Sequence, residues 1–432
     1  MSTAIKPRHF AAGTRGSVAV ESCQVCDSSE LESLIFLGFM PPLHALRPIG
    51  SRPVEQPFYP AELLLCRNCK LVQLGLFIDP ALLFPPEYPY VSGTTKVQRD
   101  DFADLCSEAR RLCGLEAGDL VVDIGSNNGA LLNNFLQRGQ RVAGVEPSDT
   151  AHLANRNGIP TYVSFFDETV VSRVLAEHGQ ARLITATNVF AHVEDVHGMV
   201  ELMLQLLAPG GIFACEVHYL PALLEDLQYD CIYHEHLRYY SLATLSYVLH
   251  MHGMNVVHAR RIPTHGGSIR IYAAREGDHR VDETVPALLA EEAPQITPAR
   301  LHNFSAEAAQ SKLALLALLR DVKQRDARIY AIGAAPRSCT LVHYVGLDNT
   351  ILDCVLELPG SPKIGNYLPG TNIPICEESR LLEDQPEYAL LLSWHVAQDL
   401  IPKIKMSGFQ GQFIVPLPRP EIVAGAANDR KS

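Results

Sequence analysis

The densest run of reactive side chains is Tyr229-Asp-Cys-Ile-Tyr233-His234-Glu235-His236-Leu-Arg-Tyr-Tyr240-Ser241. Two imidazoles, a carboxylate and several phenols in one short stretch are costly to bury unless each finds a partner. The H-E-H spacing lacks the four-residue interval that sets two zinc-binding histidines on one helix face, so metal ligation is disfavoured. Proton transfer fits better. A neutral imidazole near pH 7 can accept a proton, Glu235 can orient it, and the Tyr233 hydroxyl can donate to an oxygen that gains charge. The plain alternative is a polar cluster with purely internal partners near a helix start.

A second set is built from sulfur. Cys23-Gln-Val-Cys26 and Cys66-Arg-Asn-Cys69 are two C-x-x-C knuckles flanking a proline-rich excursion. Four thiolates complete a closed tetrahedral Zn²⁺ site with no position left for catalysis. A structural zinc can contribute on the order of 10 kcal/mol to folding a small lobe, which explains how so loop-rich a stretch is ordered. A redox pair is disfavoured, because neither knuckle follows a strand and opens a helix. Three further stretches carry polar groups. His265-Gly-Gly-Ser268-Ile-Arg270 combines glycines, a hydroxyl and a cation suited to sugar or phosphate, with a bulged strand as the alternative. Gly333-Ala-Ala-Pro-Arg337 is a small-residue turn whose amides and guanidinium suit a phosphate. Prolines around Tyr88 and Tyr90 hold an extended loop that could cap a site or pack at a domain seam.

These groups need a scaffold, and the chain supplies one between 119 and 218. Asp119-Leu-Val-Val-Asp123-Ile-Gly125-Ser-Asn127-Asn128-Gly129 reads as a strand buried on both faces running into a tight turn. Ala130 onward begins a helix, and Arg141-Val-Ala-Gly-Val-Glu146 is a second strand ending in a carboxylate placed to grip a ribose hydroxyl pair. D-x-G-x-x-x-G is not the G-x-G-x-x-G of a dinucleotide fold, so a pyrophosphate cradle is disfavoured. A helix capped by Asp149, a short strand at Ile159-Pro-Thr-Tyr-Val and a strand from Ala181 follow. Asn188 and His192 fall at the carboxyl end of that last strand, where open α/β sheets bind ligands. Leu207-Ala-Pro-Gly-Gly211 reads as a turn before a strand at 212–218. An antiparallel edge is expected near Asn255–His258 and Ser268–Ala273, and a long helix over 301–325. Strands at 328, 389 and 411 then build a second α/β unit.

The glycine turn resembles the first motif of class I S-adenosylmethionine-dependent methyltransferases. The ordered set of double C-x-x-C, D-I-G-S-N-N-G, N-V-x-A-H-V, Y-H-E-H-L-x-Y-Y-S and H-G-G-S-I-R resembles the sugar C-methyltransferases that act on nucleotide-linked keto-deoxysugars, from about Cys23 to about Pro420. That resemblance implies three α/β-class parts: a zinc-binding lobe (21–80), a class I methyltransferase domain (81–285) and a C-terminal Rossmann-like domain (286–420), between an arm (1–20) and a tail (421–432). It implies methyl donor at Asp123, Gly125, Asn127, Asn128, Gly129, Glu146, Phe166, Asp167 and Asn188. His236 would be the base, with Tyr233, Glu235 and His192 around the sugar and Tyr88 or Tyr90 reaching in. His234, His265, Ser268, Arg270, Arg337, Lys363 and Tyr367 would hold the nucleotide sugar, and Cys23, Cys26, Cys66 and Cys69 the zinc. The family usually has Lys where Arg337 stands, Gly-Asn at Ser338-Cys339 and D-x-x-P-x-K-Q-G at Glu357–Gly365. An O- or N-methyltransferase of a small metabolite, or a zinc-anchored binding protein without catalysis, are the other readings.

Composition limits the partners. At 432 residues two or three domains are expected. A net charge of −12 argues against nucleic acid or an anionic membrane, since both demand a basic face. A few local cations still suffice for one nucleotide diphosphate. Eleven cysteines, with no secretory segment and no apolar run of transmembrane length, fit a reducing cytoplasm. The expected assembly is a monomer.

Overall fold

The computed structural model describes residues 16–85 and 91–423. Tyr88 and Tyr90, expected to reach toward a substrate, lie outside the described residues. The chain forms two compact units that alternate along the sequence: one takes residues up to 32, 64–222 and 235–297, the other 33–63, 223–234 and 298 onward.

In the first unit a seven-stranded sheet is formed by β1 (Leu120–Ile124), β2 (Arg141–Val145), β3 (Thr161–Tyr162), β4 (Ala181–Thr187), β5 (Leu207–His218), β6 (Met254–Ile262) and β7 (Ser268–Arg275). Its order is β6-β7-β5-β4-β1-β2-β3, with β7 antiparallel to both its neighbours and the other six strands running in one direction. Every residue of β1 is buried, as an apolar run without polar alternation requires of a central parallel strand. The strand order turns back between β1 and β4, and there the carboxyl ends open the crevice in which such sheets take ligands. Two local expectations change. Leu207-Ala-Pro-Gly-Gly211 is the start of β5 rather than a turn, and a register slip opposite Ala181 and Leu183 absorbs the Pro-Gly-Gly. Asp149 precedes helix Thr150–Arg156 without capping it by a side-chain hydrogen bond; Ser148 Oγ and Thr150 Oγ1 bond each other there at 2.8 Å.

Helix Lys96–Cys113 buries Phe102, Leu105, Cys106, Ala109 and Cys113, a stripe at helical spacing. Thr95 caps its start and left-handed Gly114 ends it. Strand Ser17–Ala19 pairs with Leu76–Ile78, and Arg238–Tyr239 pairs antiparallel with Val72–Leu74. The chain after the second knuckle is therefore in direct register with the chain after His236.

The second unit holds a six-stranded sheet in the order Ile375–Glu377, Cys354–Glu357, Ile329–Ile332, Tyr388–Leu391, Gln412–Val415, Glu421–Val423, parallel except for the last. Its long helix is Pro298–Lys323. Among the described residues no helix is long and apolar enough to cross a membrane.

Candidate active site

The turn after β1 is shaped by positive φ at Gly125 (71°), Asn127 (50°) and Gly129 (77°). At Gly125 a Cβ would sit 2.3 Å from a Val189 methyl, so only glycine fits. Glu146, just past β2, accepts hydrogen bonds from the Asn127 amide (3.0 Å) and the Ser148 amide (2.8 Å). A carboxylate oxygen has lone pairs enough to accept a ribose hydroxyl as well. The two asparagines of the turn have a use. Asn127 Oδ1 accepts from the Ser92 amide at 2.9 Å, and Asn128 Nδ2 donates to the Ser92 carbonyl at 3.1 Å. Thus the turn is tied to the segment that opens helix Lys96–Cys113. Phe166 packs partly buried against the core, and Asp167 caps helix Glu168–His178 through the Val170 amide (2.9 Å), which occupies one of its oxygens.

Asp123 is buried at the end of β1 and accepts from the Thr185 hydroxyl at 2.6 Å. Burial pushes its carboxyl up to about 7, against the pull of that hydrogen bond. The folded protein therefore takes up a proton that the unfolded chain releases near pH 4, and the stability this gives is lost as pH rises toward 7. Asp123→Asn is expected to flatten the pH dependence of stability between pH 4 and 7, by up to about 4 kcal/mol. Denaturant titrations of both proteins at pH 4.5 and 7.5 measure the difference; parallel pH profiles would refute it.

Beyond β4 the chain turns at Asn188 (φ 56°), whose amide donates to the Glu216 carbonyl at 2.8 Å. His192 follows, stacked on Phe84 at 5.8 Å, with its ring centroid 5.0 Å from that of His236. The Leu237 amide donates to the Ala191 carbonyl at 2.9 Å and holds the two loops together. Burial keeps the His192 pKa down at about 4, so this ring is neutral at pH 7. A neutral neighbour lets His236 take up a proton without like-charge repulsion. Glu235 is buried beside them in sequence.

In the N-terminal lobe the four cysteine Sγ atoms lie within 4.8 Å of one another, with Cys23–Cys69 and Cys26–Cys66 both at 3.5 Å. A tetrahedral Zn²⁺ with bonds near 2.3 Å needs sulfurs about 3.8 Å apart, so the cluster fits the ion. Amide N–H groups point at two of the sulfurs, Val25 N at Cys23 Sγ (3.5 Å) and Asn68 Nδ2 at Cys26 Sγ (3.4 Å). The knuckle is also fixed from outside. His197 Nε2–H donates to the Val25 carbonyl at 2.8 Å, which leaves its Nδ1 to accept from His252 Nε2–H at 2.7 Å.

Family models match in three consecutive stretches: a putative zinc binding domain over 23–84, a methyltransferase domain over 97–259 and a C-methyltransferase C-terminal domain over 263–418. The C-methyltransferase NovU of Streptomyces niveus is 34% identical over 422 residues, covering 94% of this chain and 97% of that protein. The chain belongs to this C-methyltransferase family. A ubiquinone biosynthesis O-methyltransferase of Methylobacterium sp. (strain 4-46) is 34% identical over 103 residues, 22% of this chain and 40% of that one. The magnesium protoporphyrin IX methyltransferase ChlM of Synechocystis PCC 6803, solved with S-adenosylmethionine, superimposes with a TM-score of 0.34 at 15% identity over 44% of this chain and 89% of that one. As a C-methyltransferase, the protein has a methyltransferase domain and a zinc-binding domain, and in the latter Cys23, Cys26, Cys66 and Cys69 form a four-sulfur set able to hold the ion.

Within this C-methyltransferase, several residues expected to touch substrate are engaged elsewhere. Arg270 is fully buried and binds Glu216 (2.5 Å), Asp101 (2.8 Å), Asp104 (2.8 Å) and Glu108 (3.0 Å). It clamps helix Lys96–Cys113 to the sheet and has no charge to spare for a phosphate. Ser268 is buried and donates to the Thr264 carbonyl at 3.0 Å. Gly267 exists for packing, since a Cβ there would meet the Ala222 Cβ at 2.5 Å. His265 is exposed, at φ 55°.

In the second unit His234 is buried, donates from Nε2 to the Pro60 carbonyl at 3.1 Å and meets the Tyr59 ring edge-on. Burial lowers its pKa to about 4, so it is a neutral internal staple rather than a substrate ligand. Tyr233, one residue earlier, is half-buried. Tyr367 lies under the Arg47 guanidinium and its hydroxyl accepts from the Gly50 amide at 3.1 Å. Lys363 reaches the turn after Ile329–Ile332, donating to the Ala334 carbonyl at 2.7 Å with Glu357 at 3.8 Å. Arg337 is not poised for phosphate. It forms a two-pronged pair with fully buried Asp230 (2.8 and 3.0 Å), which also accepts from Trp394 Nε1 at 2.8 Å. Arg337→Met leaves Asp230 buried without its counter-ion and is expected to cost about 3–5 kcal/mol of stability in denaturant titration. An equally stable variant with only a raised KM would return Arg337 to a phosphate-binding role.

Proposed function

We propose that the protein transfers a methyl group from S-adenosylmethionine to C3 of a nucleotide-linked 4-keto-deoxysugar by base-catalysed enolisation. The observation that carries this reading is the His192–His236 ring pair, 5.0 Å apart, at the carboxyl ends of the strands that also carry the donor turn. In such a sugar the C3 hydrogen is acidified by the adjacent carbonyl. His236 takes that proton, the C–H electron pair passes into an enolate, and the Tyr233 hydroxyl and neutral His192 donate to the oxygen that gains charge. Glu235 orients the His236 ring. S-adenosylmethionine supplies an electrophilic methyl on a sulfonium, so that a C3–CH₃ bond forms as the S–CH₃ bond breaks. Asp123, Gly125, Asn127, Asn128, Gly129, Glu146, Phe166, Asp167 and Asn188 hold the donor in line with the carbon, where positioning contributes much of the rate. His265, Lys363 and Tyr367 remain as candidates for the nucleotide-sugar contacts. Four zinc-bound thiolates suit a reducing compartment, the cytoplasm.

The test incubates the zinc-loaded protein with nucleotide-linked keto-sugars in deuterated water without methyl donor. Deuterium entering one ring carbon, read by NMR, identifies substrate and position together. If no keto-sugar exchanges, and methyl transfer occurs only to a hydroxyl or amine, the enolisation reading fails.

A further inference from the structure

One buried side chain in the first unit has no role in the donor turn, the histidine pair or the thiolate set. Arg238 follows two residues after His236 and is 2% exposed. Its guanidinium donates to the Val193 carbonyl at 2.5 Å and the Glu194 carbonyl at 2.6 Å, the two residues directly after His192. Its Nε is buried with no hydrogen-bond partner, and among the described residues no carboxylate lies within ion-pair distance of it. Carbonyl dipoles alone leave a buried guanidinium without counter-charge, a cost of several kcal/mol.

The missing negative charge is close by. Arg238 stands opposite Gln73 in the antiparallel register of Arg238–Tyr239 with Val72–Leu74. Gln73 Oε1 accepts from the Gln24 amide at 2.9 Å, and Gln24 Nε2 donates to the Leu74 carbonyl at 3.1 Å. Gln24 sits inside the first knuckle, between Cys23 and Val25. Four thiolates around one divalent ion leave roughly two net negative charges, which any apolar surroundings must balance. Cys23 and Cys66 are both buried and share a core with Tyr240, Val217 and Phe190. Desolvation opposes the protonated form of Arg238, while Tyr240, then Cys23 and then Asp195 favour it.

We propose that Arg238 is the internal counter-cation of the zinc–tetrathiolate cluster, and that its two donors to Val193 and Glu194 make it the positioning residue that sets His192 against His236. The first half needs only the zinc site; the second rests on the proposed catalytic role of the histidine pair. Zinc would then act on catalysis at a distance, through charge and one guanidinium fork, without touching substrate. A lysine keeps the charge but cannot span two carbonyls, whereas methionine keeps the bulk and loses both.

The experiment compares wild type, Arg238→Lys and Arg238→Met as full-length zinc-loaded proteins, with S-adenosylmethionine calorimetry as the check on folding. Zinc release to a chromogenic chelator is expected to be about 10- to 100-fold faster in Arg238→Met and to stay near the wild-type rate in Arg238→Lys. Both variants are expected to lose kcat with little change in KM. Equal zinc release from Met and Lys variants, or wild-type release from Met, overturns the counter-ion role. Wild-type kcat in Arg238→Lys overturns the positioning role. Should Arg238→Met fail to fold, Arg238→Gln read against Arg238→Lys makes the same comparison. If no keto-sugar is a substrate, the zinc measurements still decide the first half by themselves.

Discussion

Turnover by His236→Asn is expected to fall by roughly 10²–10⁴-fold, the usual worth of a positioned general base, with S-adenosylmethionine affinity unchanged. Asparagine is smaller than histidine but keeps a planar polar group that can hydrogen bond, and it cannot hold a proton near pH 7. The donor turn is built by β1 and β2 residues and by Asn127 and Asn128 contacts to Ser92, none of which includes residue 236. Loss therefore belongs to kcat, and calorimetric donor binding is the control. Deuterium exchange into the substrate should vanish in parallel. A variant that keeps turnover within about threefold of wild type would remove residue 236 from proton transfer and favour the O- or N-methyltransferase reading.

Removal of zinc should have an effect of comparable size by another route. Structural zinc sites contribute on the order of 10 kcal/mol to the order of the lobes they staple. Cys66 is wholly buried, and its carbonyl accepts from the Lys70 amide at 3.0 Å while its amide donates to the Leu71 carbonyl at 2.9 Å. Losing the ion frees strand Val72–Leu74 just downstream, and with it the partner of Arg238–Tyr239 and the Leu74 amide's bond to the Leu237 carbonyl (2.9 Å). Cys66→Ser, or wild type stripped by a chelator, is expected to be cut by protease within residues 16–78 and to lose most activity. Donor affinity should suffer less, because Val121 of β1 and Val142 of β2 also pack in a separate core with Leu131, Leu132 and Phe135, away from the knuckles. Full activity in protein proved metal-free by elemental analysis would sink the idea.

Much of the scaffold was legible because its signals are local. A run such as Leu120–Ile124 declares burial by its own composition, and two C-x-x-C pairs declare a four-thiolate set by spacing alone. Charge was misread wherever the partner is distant in sequence. Arg270 reads as a phosphate ligand because its counter-ions Asp101, Asp104 and Glu108 lie more than 160 residues earlier, and Arg337 does so because Asp230 is 107 residues away. Nothing in a sequence separates a cation looking for a ligand from one already paired. His234 and His236 are likewise two positions apart with identical chemistry, yet one bonds Pro60 and the other faces His192. Arg238 and the His197–His252 pair gave no signal, since their contacts are to backbone carbonyls and to each other.

The asparagines of the donor turn limit what can be engineered there. Exchanging Asn127 and Asn128 for glycine would bring the turn nearer the commoner motif at position 127 and ease the left-handed backbone there, so a design guided by family statistics would accept the change. It would also unmoor Ser92 from both sides. The segment leading into helix Lys96–Cys113 would then drift independently of the donor, and a turn improved by consensus would yield a slower enzyme.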